Sequence, residues 1–81
     1  MLGQNPYSEQ KRNIQIKLAQ IEQREAEIAR LKTSYPSGSP QLITLEQQEA
    51  SLMQQKSQLE MQMSNTERQE MEWDRMQKPQ Q

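Results

Sequence analysis

The chain has 81 residues, of which 31% are hydrophobic, and carries ten Lys/Arg against eleven Asp/Glu with no His and no Cys. That length holds one small domain, and an apolar share well under the roughly 45–50% of globular domains leaves little to fill a compact interior. A formal charge of −1 gives no global field for gathering nucleic acid or anionic lipid, and the absence of Cys excludes disulfides.

Residues 1–7 read as a lead into the first helix. Asn5-Pro6 offers an N-cap followed by a proline at the first helical position, where its missing N–H costs nothing; Ser8 before Glu9 is a competing start. Residues 8–32 contain no Gly or Pro and consist mostly of strong helix formers, with Ile14, Leu18, Ile21, Ile28 and Leu31 at spacings of three, four and seven. Seven residues are close to two helical turns, so these side chains stack on one side.

Residues 33–39 break the pattern. Tyr35 precedes Pro36 and is steered away from helical geometry, Gly38 permits a left-handed turn, and Ser39-Pro40 is a good start for a new helix. A connection this short reverses the chain, which predicts an antiparallel hairpin. The second helix is expected over 40–77, with 78–81 as a tail containing Pro79. Leu45, Leu52 and Leu59 repeat every seven residues, Thr66 takes the next place and Trp73 the one after, while Gln48, Gln55, Gln62 and Gln69 follow each by three. The expectation is a seam of leucine alternating with glutamine, wetter and less stable than an all-leucine one. Because the second arm outruns the first by about a dozen residues at 1.5 Å each, its end around Glu67–Gln77 is expected to need cover from outside the hairpin. The first half, residues 1–40, carries +2 and the second −3, which favours a modest antiparallel attraction.

The fold class is therefore all-α: a single antiparallel helical hairpin with unequal arms over residues 1–81, with coiled-coil-like packing in an oligomer. The expected seam comprises Ile14, Leu18, Ile21, Ile28, Leu31, Leu45, Leu52 and Leu59. Trp73, with Met71 and Met76 beside it, is the expected partner contact, since tryptophan buries a large rigid surface. The turn Pro36-Ser37-Gly38-Ser39-Pro40-Gln41-Leu42 and the two-helix layout resemble the needle subunits of bacterial type III secretion systems, short hairpins with a Pro-x-x-Pro-type turn. That likeness implies helical polymerisation. Here one extra residue separates the prolines, and the segment from Trp73 onward is polar where that family's is rather apolar.

Chemistry has almost no foothold. Without His or Cys no serine has a recognisable base, and carboxylates such as Glu70, Glu72 and Asp74 lie along a helix with no pocket to shift them. Two glycines, Gly3 and Gly38, make no phosphate-cradling loop. The sequence thus points to a non-enzyme without cofactor, metal or small-molecule substrate. Lys17 and Arg24 share a face but are mixed with Glu22, Glu25 and Glu27, which argues against a nucleic-acid partner. No apolar run approaches a membrane span, and no cleavable signal is recognisable, so synthesis in the cytoplasm is expected, with the final location open. The expected function is a small structural or assembly protein, such as a component of a virion, filament or secretion apparatus, acting as a homo-oligomer or within a larger protein assembly. The alternative is a helical adaptor or secretion chaperone that masks a partner's amphipathic helix.

Overall fold

A computed structural model describes residues 5–77 as two helices, α1 (Ser8–Lys32) and α2 (Pro40–Gln77), packed side by side as an all-α hairpin. The rod measures 66 × 19 × 14 Å. Among the described residues there is no strand.

Local chemistry sets the helix ends. Asn5 Oδ1 accepts the Tyr7 N–H at 2.8 Å, and the Asn5 carbonyl accepts the Ser8 N–H at 3.3 Å. Asn5 therefore closes a turn ahead of the helix, and Tyr7, rather than Asn5 or Ser8, occupies the N-cap position, with no side-chain cap. At the other end the Thr33 hydroxyl donates to the Arg30 carbonyl at 2.7 Å, and the Ser34 N–H reaches the Leu31 carbonyl at 3.0 Å. Gly38 has a φ of +83°, a left-handed conformation costly for any other residue. Ser39 Oγ then accepts the Leu42 N–H at 3.2 Å, an N-cap bond at the third helical position with Pro40 at the first.

Packing is a single ridge. Among the described residues Ile14, Ile21, Ile28 and Leu45 are the buried apolar side chains, joined by Thr66, and Ile28 alone is completely covered. Leu18, Leu31, Leu42, Leu52, Leu59, Met63, Tyr7 and Trp73 are half-buried. Three ion pairs between the helices fix the register: Lys11–Glu70 at 2.7 Å, Lys32–Glu49 at 3.0 Å and Lys56–Glu25 at 3.6 Å. In each pair the two residue numbers add to 81, so all three report one antiparallel alignment. The same alignment sets Leu18 level with Met63, and one step away Tyr7 with Trp73, Ile14 with Thr66, Ile21 with Leu59 and Ile28 with Leu52.

Two expectations need correction. Gln48, Gln55, Gln62 and Gln69 are exposed and do not form the seam. The second row is Leu42, Glu49, Lys56, Met63 and Glu70, of which the middle three follow Leu45, Leu52 and Leu59 by four residues instead of three. Either row could lie beside the leucines on an isolated helix; the choice falls to the row whose charges meet opposite charges across the interface. The lysine stems can also cover apolar surface while their heads stay wet. The far end of α2 is also partly covered within the hairpin, as far as Trp73, with residues 74–77 exposed. Thr66 is buried, and Glu70 accepts hydrogen bonds from Lys11 Nζ and from the Asn5 side-chain amide. The length difference is divided between the two ends, because the connection lies alongside the first turns of α2 and Asn5–Tyr7 runs alongside Glu70–Trp73.

The ion pairs specify more than they stabilise. Partly exposed pairs of this kind contribute about 0–1 kcal/mol in general. A slip of one heptad, however, dissolves all three at once. In one direction it sets Lys32 opposite Lys56; in the other it sets Glu25 opposite Glu49. Either slip also places Leu18 against a charge, Glu70 or Lys56. Both alternatives exchange attraction for repulsion, which ties this thin interface to one register.

Candidate functional site

With the register known, each helix can be written in heptads, with Ile14, Ile21, Ile28, Leu45, Leu52, Leu59, Thr66 and Trp73 at position d. The hairpin then has two unlike flanks. One is formed by positions a and e. Its a positions are closed by the three ion pairs and by Leu18 level with Met63. Outside them stand Glu22 of α1 and Glu46, Glu60, Glu67 and Asp74 of α2, all exposed, at position e with Met53 among them. None of these five carboxylates is in an ion pair among the described residues.

The opposite flank, formed by positions c, d and g, is open. Three shallow hollows follow one another along it, of about 400, 320 and 250 Å³. The largest has Ile21, Leu52 and Leu59 in its floor and glutamines on its rim, together with Lys17 and Arg24. The second joins Ile14 and Thr66 to an amide rim, and the third joins Leu31, Tyr35 and Leu45 to Gln41 and Thr44. No carboxylate lines any of the three. Arg24 bonds Glu27 on its own helix and Gln48 Oε1 across the interface at 2.8 Å, while Lys17 has no ion pair among the described residues. The heptad glutamines thus rim a groove instead of filling a seam.

The residues expected to form the seam separate by depth. Ile14, Ile21, Ile28 and Leu45 are buried, and Leu18, Leu31, Leu52 and Leu59 are half-buried. Those expected to touch a partner also divide: Trp73 is half-buried level with Tyr7, whereas Met71 and Met76 are 65% and 75% exposed. Six residues pair across the interface where the sequence suggested only solvated faces: Lys11, Glu25, Lys32, Glu49, Lys56 and Glu70. Their signal was available, since each stands four residues after, or three before, a heptad apolar residue. Charged side chains at such places read as a solvated face until the partner helix is laid beside them.

The sharpest polar cluster is Lys11–Glu70–Asn5. The Glu70 carboxyl is held below its ordinary value of 4.5 by the hydrogen bond from Lys11 and then by that from Asn5. Lys11 is raised above 10.5, chiefly by its hydrogen bond to Glu70, with Glu67 and Asp74 adding to the field. Both shifts favour the ionised pair, which is the behaviour of a structural clasp. Among the described residues no group of His, Cys, Asp and Glu could hold a metal ion, and no helix is long and apolar enough to cross a membrane. No protein-family model, curated protein or solved structure matches this chain.

Proposed function

We propose that this chain is a small non-enzymatic structural or assembly protein, of the kind that builds a virion, filament or secretion apparatus, and that it works by helix packing with further copies. One observation carries the reading: among the described residues only four apolar side chains are buried, while Ile16, Ile43, Met53, Met61, Met71 and Met76 are 48–75% exposed. Small domains with so thin an interior are marginal alone and are commonly completed by association. Met71 and Met76, with the half-buried Trp73 between them, supply an adaptable apolar patch for a neighbour at one end of the rod.

Sedimentation and circular dichroism over a dilution series test this. The expected result is an oligomer whose helicity and melting temperature fall together on dilution. A monomer that melts cooperatively at the same temperature at every concentration refutes it. Trp73→Ala is expected to weaken assembly while leaving helicity largely unchanged; unaltered assembly removes Trp73 from the interface. A second reading, an adaptor or chaperone that masks a partner's amphipathic helix, rests on the apolar floor of the open groove. It calls for a monomer or dimer that aggregates until a partner helix is supplied.

A further inference from the structure

We infer that the open groove of one copy receives the acidic edge of α2 from a second copy, so that hairpins associate head-to-tail through unlike flanks. This rests on the assembly reading above and specifies its contact. The groove offers an apolar floor of Ile21, Leu52 and Leu59, Lys17 with no ion pair among the described residues, Arg24 already bonded to Glu27 on its own helix, and no carboxylate in its lining. The opposite flank offers Glu46, Glu60, Glu67 and Asp74 in one stripe, with Met53 at the same heptad position and 59% exposed. Lys17 and Arg24 are seven residues apart, as are Glu60 and Glu67. Both pairs therefore repeat at about 10 Å along their helices, which lets two ion pairs form together. Met53 is the one apolar side chain in that stripe; one heptad before Glu60, it falls level with a neighbouring hollow, that of Ile14 and Thr66 or that of Leu31, Tyr35 and Leu45, when both ion pairs form.

Charge also selects against the symmetric alternative. Groove on groove around a two-fold axis would gather two copies each of Lys17 and Arg24, with only the Glu27 that already bonds each Arg24 to offset the four cations. Acidic edge on acidic edge is equally repulsive. Unlike flanks attract, and a contact between unlike flanks is heterologous, so it repeats into a ring or an open filament. The area suffices: a strip about 10 Å wide along the 66 Å rod covers about 650 Å² per partner, or about 1,300 Å² in total, within the range of specific interfaces.

The test is a charge swap between separately purified variants of the full chain, read by sedimentation equilibrium with helicity as the folding control. Lys17→Glu with Arg24→Glu makes both flanks acidic; Glu60→Lys with Glu67→Lys makes the acidic edge basic. Each variant alone should associate at least about tenfold more weakly than the unchanged chain, as expected when complementary charges are made alike. An equimolar mixture should recover assembly, because the first variant's acidic groove then meets the second's basic edge, and the second's unaltered groove meets the first's unaltered edge. Should Arg24→Glu or Glu67→Lys cost helicity, Lys17→Glu and Glu60→Lys alone, both at exposed positions, make the same comparison. Helical variants that assemble like the unchanged chain, or a mixture that fails to recover assembly, overturn the flank assignment and leave the assembly reading standing. A sensitivity to Lys17→Glu without one to Glu60→Lys overturns it in favour of groove-on-groove pairing. An unchanged chain that stays monomeric overturns both.

Discussion

Ile28 and Ile16 are the same residue type on the same face-to-solvent gradient of one helix, and they make a paired test of where this hairpin keeps its stability. Ile28 is 0% exposed and Ile16 50% exposed. Truncation of either to Ala gains a few tenths of a kcal/mol of helix propensity, so that term cancels between them. At Ile28 three buried carbons are lost, about 2.4 kcal/mol at about 0.8 per methylene, before any cavity is counted. The thin shell around it lets neighbours collapse into the space, which holds the cavity term down. The expected cost of Ile28→Ala is thus about 2–3 kcal/mol, near the low end for such changes. Ile16→Ala should lie within about 0.5 kcal/mol of the unchanged chain, as surface substitutions do. Urea melts followed by circular dichroism, all at one protein concentration because association is linked to folding, give the comparison. If the two variants melt within about 0.5 kcal/mol of each other, the single-ridge core is not where the stability resides.

Other outcomes follow from the register and the turn. Glu25→Lys sets two lysines opposite at position 56, and Lys56→Glu sets two glutamates there; each should destabilise by about 0.5–1 kcal/mol, and the double swap should recover most of it in a thermal-melt cycle. Additive losses would place Glu25 and Lys56 apart. The Lys11–Glu70 clasp should act between the two ordinary pKa values. Because Glu70 is lowered in the fold, its contribution is complete above pH 4.5 and lost as pH falls through its native pKa beneath that value. Because Lys11 is raised, its contribution is complete below pH 10.5 and lost as pH rises through its native pKa above that. Glu70→Gln should therefore narrow its stability gap to the unchanged chain under acid, and a gap constant with pH would remove the clasp. Gly38→Ala meets no atom within 4 Å of the added Cβ, so only its positive φ opposes it, at a cost of about 1 kcal/mol. A neutral result in urea melts would mean the connection relaxes to another turn.

The two helices and the reversal between them were legible in the sequence because each depends on neighbours along the chain. Pro36, Gly38, Ser39 and Pro40 act locally, and the heptad of Ile14, Ile21 and Ile28 repeats within one helix. The seam's second row was not legible. Gln48 and Glu49 both lie next to the leucine stripe, and one chain's periodicity does not say which side a partner helix will cover. That was decided across the interface, where Lys32, Glu25 and Lys11 stand level with Glu49, Lys56 and Glu70 and no one-heptad slip keeps the charges matched. The covering of Thr66 and Glu70 was hidden for the same reason: arm lengths counted from the turn ignore what the connection and Asn5–Tyr7 do beside α2. Sequence alone thus determined that there are two amphipathic helices folded back on each other, since propensity, capping and periodicity are short-range. Only the tertiary structure decided which residues face inward beside the ridge, and so which flank is closed by charge and which is left open, because pairing energies depend on residues that are far apart in the chain.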